Sequence, residues 1–454
     1  MSNRRHFIAV AAATAAGALI PLRASAASTR HVVVVGGGMA GATMAKYLRL
    51  WSGRTINVTL VEQNATYVSN IMSNLAVTGQ LAMSRLNFGY SKLVSSYGVK
   101  LVTASVTAVE PAGAGLWKVQ TRAANGSVGT LYADRVVLAP GIQMDPVQET
   151  SGAPGQAASI LHAWIAGPQT ELLRQKLAAM PAGGTFLMSI PPKPYRCPPG
   201  PYERACVVAD YLKRNKPNSK IVVLDANPGI TAEPENFGYA FNTLYPDVLQ
   251  YIPNAKVVSV DSASGTVTAD VTVANGTTGT ELKGQQFFSN VLNVIPPHRA
   301  GTIVQLAGLA NSTDKPFAQV WPWSFESTEK PGLHVIGDAH RTIGDGGTGL
   351  PMAGHVGNQE AKICASAIIN LFGGKEIDTA YLTANSACYS PVSSTLASWL
   401  TAVYHYDSAG SKKFIMHDYP NGTTGIPTEA LKPSGENFSK MNTWFKSLMT
   451  ETYS

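Results

Sequence analysis

The sequence predicts an α/β fold built from two strand–helix–strand units and a smaller C-terminal region. Runs of β-branched residues alternate with helical stretches, first near residue 31 and again near residue 183. The 42 glycines suit the tight strand-to-helix turns of such folds. A chain of 454 residues is too long for one ordinary domain, so we expect two or three domains.

The first 26 residues are typical of an export signal. Arg4 and Arg5 precede an apolar, alanine-rich run, and Ala24-Ser25-Ala26 forms a small-residue cleavage site. Paired arginines favour the twin-arginine route, with an ordinary secretory signal as the alternative. In either case we expect the mature protein to be periplasmic.

Composition excludes several classes of protein. The formal net charge of +7 includes three arginines of the signal and falls to +4 without them. No basic run indicates nucleic acid binding, and no second apolar segment is long enough to span a membrane. No metal site is predicted. The four cysteines are too few for a disulfide framework: Cys197, Cys206, Cys364 and Cys388.

The stretch from residue 31 to residue 63 predicts a dinucleotide site. A buried strand over 31–35 runs into a GxGxxG motif, a helix follows over 42–50, and a strand over 57–61 ends at an acid. Such glycines let a pyrophosphate approach the helix N-terminus, and the acid accepts hydrogen bonds from ribose hydroxyls. The predicted contacts are Gly36, Gly38, Met39, Ala40, Gly41, Glu62 and Gln63.

Two later stretches resemble the second and third FAD motifs of flavoproteins with two dinucleotide-binding domains. A strand over 134–138 runs into Ala-Pro-Gly, and a strand over 332–336 ends in Gly-Asp. The resemblance implies that the aspartate accepts hydrogen bonds from the ribitol, and that a helix over 354–372 faces the flavin pyrimidine edge. The predicted contacts are Ala139, Pro140, Gly141, Gly337, Asp338, Gly354 and His355.

The second strand–helix–strand unit spans residues 183–228. In a pyridine nucleotide-disulfide oxidoreductase, a glycine loop in this unit would bind NAD(P)H. Here the loop is PPKPYRCPPG, residues 191–200, with five prolines and one glycine. Because prolines offer no N–H group to a phosphate, we expect no bound NAD. Electrons would then come from another donor.

Within that loop and helix, RCPPGPYERA (residues 196–205) resembles the signature of the flavoprotein subunit of flavocytochrome c sulfide dehydrogenase. Similar strings run through nearly the whole mature chain, including VTLVEQN, HAWIAGPQTELLRQKL, IPPHRAG, SFES, GLHVIGDA and CYS. The resemblance implies a glutathione-reductase-like flavoprotein with a degenerate second nucleotide domain and a C-terminal interface domain. It implies a periplasmic enzyme that oxidises sulfide and passes electrons from FAD to a c-type cytochrome subunit. This chain has no haem motif, so haem would be on the partner.

Three positions depart from the family pattern. In the family, the cysteine matching Cys197 forms a redox disulfide, but its partner's position is Ala318 here. The cysteine that attaches FAD covalently in many members corresponds to Asn70, so we expect noncovalent FAD. The cysteine often found after the third FAD motif corresponds to His340. Several changes around one expected pocket suggest a changed substrate.

Catalytic roles are predicted for a cysteine and a glutamate in the signature. Cys197 as a thiolate could carry a persulfide, and Arg196, Arg204 and the following helix N-terminus are candidates to lower its pKa. Glu203 matches the family glutamate proposed as proton acceptor. The alternative for Glu203 is a first-turn acid that complements the helix dipole.

Other residues could reshape the pocket. His340 and His355 are candidates for acid or base work near neutral pH. Trp321 and Trp323 could stack on an organic substrate, although ordinary packing is the simpler interpretation of each. Buried, inert thiols are expected for Cys206 and Cys364, whereas the sequence leaves Cys388 open.

The predicted layout follows from these motifs. It comprises the signal at 1–26, an FAD domain at 27–155 and 290–375, a degenerate α/β domain at 156–289 and a C-terminal flavin-covering domain at 376–454. Three functions stay open. The donor to FAD could be sulfide or another reduced sulfur compound, or a small organic molecule, and the chain could also be a non-catalytic electron-relay flavoprotein.

Overall fold

A computed structural model describes residues 30–151, 159–275, 278–311, 317–343, 347–416 and 427–454. The predicted signal at 1–26 lies outside these described residues. Among the helices within them, none is both long and apolar enough to cross a membrane.

The described residues contain strands, helices and short helical turns. The strands are β1 (His31–Val35), β2 (Asn57–Glu62), β3 (Thr66–Val68), β4 (Asn87–Gly89), β5 (Lys100–Thr103), β6 (Ser105–Gly113), β7 (Leu116–Arg122), β8 (Val128–Ala133), β9 (Arg135–Leu138), β10 (Ile142–Met144), β11 (Thr185–Ile190), β12 (Lys220–Asp225), β13 (Leu249–Ile252), β14 (Ala255–Asp261), β15 (Thr266–Asn275), β16 (Thr278–Phe288), β17 (Val291–Val294), β18 (His298–Ala300), β19 (Leu333–Val335), β20 (Thr383–Pro391), β21 (Ala397–Tyr406), β22 (Phe414–Met416) and β23 (Thr428–Glu429). The helices are α1 (Met39–Trp51), α2 (Ser73–Val77), α3 (Ser91–Tyr97), α4 (Pro168–Ala179), α5 (Gly200–Asn215), α6 (Pro234–Tyr239), α7 (Thr302–Leu306), α8 (Gly354–Phe372) and α9 (Gly435–Tyr453).

The first α/β unit is a five-stranded parallel sheet in the order β19-β9-β1-β2-β5. Its central strand β1 carries four consecutive valines that are at most 6% exposed, as expected for a strand covered on both faces. Helices α1 and α8 pack against each other beside the sheet. Strand β19 comes almost 200 residues after β9, so two distant parts of the chain build one sheet.

The second α/β unit is a four-stranded parallel sheet in the order β13-β12-β11-β17. An antiparallel sheet of β14, β15 and β16 packs on it through a second apolar core. Strand β17 is buried along its whole length and pairs with β11. This domain therefore extends to Val294, five residues beyond the predicted boundary at 289, because the free edge of β11 takes β17 as its partner.

The C-terminal region folds back over the first unit. Strands β20, β21 and β22 form an antiparallel sheet, and β23 pairs with β21. Helix α9 packs on α1 and β4. Near its end, the Tyr453 ring stacks on Tyr67 at 5.3 Å between centroids, and the Tyr453 hydroxyl donates to Gly37 O at 3.2 Å. The C-terminal region thus covers the glycine loop of the first unit.

Candidate functional site

One large cavity lies where the two α/β units and the C-terminal region meet. Its volume is about 1130 Å³. Most of the residues predicted from the sequence line it: Gly36, Gly38, Met39, Ala40, Glu62, Gln63, Asn70, Ala139, Pro140, Gly141, Cys197, Glu203, Gly337, Asp338, Gly354 and His355. Two predicted residues, Gly41 and His340, are not among the residues that line it.

The glycine loop packs so closely on neighbouring backbone that two of its positions cannot accommodate a side chain. Gly36 has φ +100°, and a Cβ on it would lie 2.3 Å from Ala139 O. A Cβ on Gly41 would lie 1.8 Å from Gly36 O. Gly41 therefore acts through close packing of α1 on the loop that follows β1, while Gly36 and Gly38 border the cavity directly.

Glu62 stands at the end of β2 facing this loop. Its Oε2 accepts the Gly37 N–H at 2.7 Å, and its Oε1 accepts the Asn64 N–H at 2.8 Å. Each carboxylate oxygen can accept further hydrogen bonds, so the group can hold the loop and also receive ribose hydroxyls. The neighbouring Gln63 accepts from Ser105 Oγ at 3.1 Å.

Asp338 provides a second acceptor in the cavity wall. Burial raises the pKa of its carboxyl to about 6, although the charge of Arg196 opposes that shift. Its Oδ1 is buried without a hydrogen-bond partner in the described part of the chain. A buried acceptor without a donor is costly, and a ribitol hydroxyl would satisfy it. Together with the glycine cradle and Glu62, this unmet acceptor fits FAD.

His340 is placed behind the cavity wall, so the catalytic role predicted for it does not fit. Its side chain is fully buried, and its Nε2 lies 3.0 Å from Glu360 Oε1. Burial opposes protonation, but the Glu360 carboxylate outweighs it and raises the pKa of His340. Glu360 Oε2 in turn accepts the Gly337 N–H at 2.6 Å. His340 thus positions the turn that carries Asp338.

His355 does line the cavity, at the second residue of α8, where its Nε2 lies 2.8 Å from Ser386 Oγ. Burial lowers the pKa of His355 to about 4, because the charged imidazolium is poorly solvated there. The prediction of an acid or base that titrates near neutral pH is therefore wrong for His355. It remains available as a neutral hydrogen-bonding group.

Cys197 lies in the proline loop with its backbone in the left-handed region, φ 57°. Its N–H donates to Met352 O at 2.7 Å, and its carbonyl accepts the Gly200 N–H at 2.9 Å. Burial, and secondly the negative charge of Glu203, raise the pKa of the thiol to about 12, while Arg196 lowers it only partly. The expectation of a lowered pKa is wrong, because burial and Glu203 outweigh the nearby arginine.

Glu203 projects from the first turn of α5 into the cavity wall. Asn74 Nδ2 donates to its Oε1 at 2.9 Å, and Arg204 Nε donates to Asn74 Oδ1 at 2.8 Å. Burial raises the pKa of Glu203 to about 8, although Asn74 and Arg204 oppose the shift. A carboxyl that titrates near neutral pH beside a cofactor cavity suits general acid–base work. The role of Asn74 was not predicted from the sequence.

The remaining predicted positions separate into cavity and non-cavity residues. Asn70 borders the cavity and accepts the Ala166 N–H on Oδ1 at 2.8 Å. Ala318 is fully buried and is not among the lining residues. Cys206 and Cys364 are fully buried and their thiol pKa values are raised by burial, which agrees with inert thiols. Cys388, left open by the sequence, lines the cavity from β20.

The two tryptophans lie elsewhere. Trp321 and Trp323 stack on each other at 5.0 Å between centroids and line a second cavity of about 520 Å³ with Tyr406. Neither is among the residues that line the large cavity. The hypothesis that they reshape the flavin pocket is not supported, because the chain between Ala318 and Trp321 carries them to a separate surface.

The sequence matches two described families over different parts of the chain. Residues 170–296 match the central region of the sulfide dehydrogenase (flavocytochrome c) flavoprotein chain. Residues 30–179 match pyridine nucleotide-disulphide oxidoreductase. The first match covers the proline loop, Cys197 and Glu203, and the second covers the glycine loop and Glu62.

Solved structures share the fold at low sequence identity. Sulfide:quinone oxidoreductase from the hyperthermophilic bacterium Aquifex aeolicus is 16% identical, with a TM-score of 0.71 over 93% of this chain and 91% of that one. An NAD-dependent persulfide reductase from A. fulgidus is 14% identical, with a TM-score of 0.58 over 93% and 77%. The covalent putidaredoxin reductase–putidaredoxin complex gives 16%, a TM-score of 0.59, and 93% of each chain. The α/β fold of FAD-dependent disulfide oxidoreductases is thereby confirmed. Over the matched residues, the chain is similar to the sulfide dehydrogenase flavoprotein and to pyridine nucleotide-disulphide oxidoreductase.

Proposed function

We propose that the chain is a periplasmic FAD-dependent dehydrogenase that passes electrons from a small-molecule reductant to a c-type cytochrome. The observation that carries the proposal is the single cavity that joins the glycine loop, Glu62 and Asp338 to Cys197 and Glu203. FAD, when bound noncovalently there, would accept two electrons from the reductant and release them to the partner. Haem is assigned to the partner subunit.

A nicotinamide nucleotide is a poor donor for this chain. Asp225, at the end of β12 where a ribose would bind, is fully buried. Its carboxylate accepts from Tyr202 Oη and Tyr251 Oη at 2.8 and 2.7 Å, and from the Asn227 N–H at 2.9 Å. The oxygens of Asp225 already accept hydrogen bonds from protein groups, and the preceding loop is proline-rich. An electron donor other than NADH or NADPH is therefore favoured.

Two classes of reductant remain. Sulfide or another reduced sulfur compound is the default, since residues 170–296 match the sulfide dehydrogenase flavoprotein. A small organic donor is the second candidate. Two observations favour it. Ala318 stands where the second cysteine of the family's redox disulfide would be, and the raised pKa of Cys197 disfavours a thiolate nucleophile. A non-catalytic electron-relay role would leave the raised pKa of Glu203 without a use.

Anaerobic mixing of the purified yellow protein with each donor separates these possibilities. Sulfide and a panel of thiols, alcohols and amines are tested for flavin bleaching, and a c-type cytochrome is then added to follow haem reduction. Flavin bleaching by an organic donor, with no bleaching by sulfide, would contradict the proposal that a reduced sulfur compound is the electron donor. Purified protein without flavin would contradict every redox proposal. Mass spectrometry of the denatured protein tests noncovalent attachment, because FAD should dissociate.

Export is tested separately. Replacement of Arg4 and Arg5 by lysine should retain the protein in the cytoplasm if the twin-arginine route is used. Cell fractionation and flavin content of each fraction are the measurements. Undiminished periplasmic protein in this variant would favour the ordinary secretory route instead.

A further inference from the structure

Two arginines lie over the buried indole ring of Trp164, and they differ in their hydrogen-bond partners. The guanidinium carbon of Arg204 lies 4.9 Å from the ring centroid, and that of Arg196 lies 5.8 Å from it. Arg204 donates to four protein acceptors, so its donors are used within the protein. Arg196 is 8% exposed and, within the described ranges, its side chain forms neither an ion pair nor a hydrogen bond.

Trp164 adds a second unmet donor in the same part of the cavity. Its side chain is 5% exposed, and its buried Nε1–H has no hydrogen-bond partner in the described part of the chain. Trp164 and Arg196 both line the large cavity, as does Cys197. A Cβ on Gly200 would lie 2.9 Å from both Cys197 Sγ and Trp164 Cη2, so the thiol and the indole are neighbours in the cavity wall. Buried donors without acceptors are costly, and here they indicate a ligand that accepts hydrogen bonds.

The charges around Arg196 favour an anionic ligand. Arg196 acts on the thiol of Cys197, on the carboxyl of Asp338 and on two histidines. Burial lowers the pKa of His162 to about 4 and that of His298 to about 3, so both rings are neutral near neutral pH. The thiol is neutral as well, and Asp338 balances the guanidinium charge from a longer distance than an ion pair. A buried cation without a close counter-charge is costly, which an anion at the guanidinium would relieve.

The donor geometry selects an anion with at least two oxygens. An arginine guanidinium presents N–H groups in a planar fork that matches a carboxylate or another oxyanion with two parallel, charge-assisted hydrogen bonds. A hydrosulfide ion has a single acceptor atom and cannot use that fork. Arg196 belongs to the proline loop and Trp164 to the segment before α4, whereas the predicted phosphate cradle is the loop that contains Gly36 and Gly38. An anion on the electron donor therefore fits these residues better than the cofactor phosphates do.

We propose that Arg196 and Trp164 bind an oxyanion group of the electron donor, either a carboxylate or a sulfur oxyanion, beside Cys197. The inference rests on the proposed function, because it names the class of reductant that the cavity takes. Two N–H groups of Arg196 would donate to two oxygens of the anion, and the indole N–H would donate to one of them. Binding makes and breaks no covalent bond, and the donor's electrons pass to FAD as proposed above.

Titration of the flavin-loaded protein with small anions tests the site without turnover. Benzoate, acetate and thiosulfate are compared with the neutral molecules benzamide and acetamide, and calorimetry and the flavin absorption spectrum are followed. At least one anion should bind about tenfold or more tightly than the neutral amides. Tighter binding of thiosulfate assigns a sulfur oxyanion, and tighter binding of a carboxylate assigns an organic acid. Equal binding of anions and amides, or no binding of any anion, would overturn the proposal.

Three variants and a matched control locate the binding. Arg196→Gln should weaken anion binding about 10–100-fold, and Arg196→Lys should weaken it less, because the charge remains while the planar fork is lost. Trp164→Phe removes one neutral donor and should weaken binding about two- to tenfold. Lys193→Gln is the control, because Lys193 is an exposed cation of the same loop and is not among the cavity-lining residues. Equal anion affinity in Arg196→Gln and Lys193→Gln would refute the site.

Flavin content distinguishes an anion on the donor from the pyrophosphate of the cofactor. Arg196→Gln should retain FAD while it loses anion binding. Loss of FAD from this variant would assign the guanidinium to the cofactor and overturn the inference. If no donor reduces the wild-type flavin, the proposed dehydrogenase function fails, while the anion titrations still decide the site. Thermal unfolding shows whether each variant folds, and Arg196→Lys and Trp164→Phe carry the comparison if Arg196→Gln does not.

Discussion

The two strand–helix–strand units of this chain have the same order of elements, but they differ in the loop before the helix and in the surroundings of the acid that ends the second strand. In the first, β1 leads through Gly36 and Gly38 to α1, and β2 ends at Glu62, whose oxygens hold the loop and face the cavity. In the second, β11 leads through a proline loop to α5, and β12 ends at Asp225, whose carboxylate is sealed by tyrosine and asparagine donors.

The difference shows that the acid at the end of the second strand binds a nucleotide only while its lone pairs remain accessible. In both units the parallel sheet places an acid at the end of the second strand. The surrounding side chains decide whether its oxygens can accept hydrogen bonds from a nucleotide or accept them from protein groups. In the second unit the loop that would cradle phosphate instead carries Cys197 to the cavity of the first unit. The position that would bind a nucleotide in the second unit thus forms part of the cavity wall of the first unit.

The largest effect is expected from Gly41→Ala in the first unit. The added Cβ would fall 1.8 Å from Gly36 O, so backbone must move, at a cost of about 1–3 kcal/mol, and the phosphate cradle is distorted. The purified variant should lose most of its flavin absorbance. Gly229→Ala, beyond β12 and with open space around its Cβ, is the control and should retain flavin. Full flavin content in Gly41→Ala would break the comparison.

A large effect is also expected in the reactivity of Cys197. With a pKa of about 12, its thiolate fraction at pH 8 is ~10⁻⁴, against about a quarter for an ordinary thiol with a pKa of ~8.5. Alkylation by iodoacetamide, followed by peptide mass spectrometry, should therefore be slow at pH 8 and accelerate as the pH rises. Unfolded protein is the control, since there Cys197 should react at an ordinary rate. Rapid labelling of folded protein at pH 7 would restore the thiolate hypothesis.

Matched substitutions of the two strand-end acids should separate binding from stability. Glu62→Gln should weaken FAD binding about tenfold, roughly 1.4 kcal/mol, because a charged acceptor toward ribose is lost. Asp225→Asn should leave the affinity for FAD unchanged. It should lower the free energy of unfolding by about 1–3 kcal/mol, because buried donors lose their acceptor.

Flavin titration measures the affinity, and urea denaturation measures the stability. A drop in FAD affinity for Asp225→Asn that equals that of Glu62→Gln would mean that the second acid also serves the cofactor. Unchanged stability in Asp225→Asn would show that its hydrogen bonds are replaceable.

The smallest response is expected from added NADH or NADPH. Neither should bleach the flavin anaerobically or raise the melting temperature, because the loop after β11 is rich in prolines and Asp225 at the end of β12 is fully buried. Dithionite serves as the control for a reducible flavin. Bleaching by NADH at a rate comparable with the true donor would contradict the interpretation of the proline loop.

The local features of the site could be predicted from the sequence. These features depend on neighbouring residues and on the hydrophobic periodicity of the sequence. The structure contains each of them where it is expected: the strand His31–Val35, the helix over 354–372 and the acid Glu62 at the end of β2. The proline loop also predicts poor phosphate binding from local chemistry, since prolines offer no N–H group, and the response to NADH tests that prediction. Element boundaries differed by at most a few residues, as between 42–50 and Met39–Trp51.

Properties set by distant contacts could not be predicted. The pKa values of Cys197 and His355 depend chiefly on how deeply each side chain is buried in the folded chain, which no sequence spacing reveals. His340 stands at a family position, but its side chain contacts Glu360 and does not line the large cavity.

The contact between Tyr453 and Gly37 joins residues 416 positions apart and has a consequence for the order of assembly. A nascent chain emerges from the ribosome N-terminus first, so the phosphate loop exists long before the helix that roofs it. Capture of the dinucleotide can therefore become tight only after synthesis of the α9 segment. We therefore expect tight loading of the cofactor to follow completion of the chain.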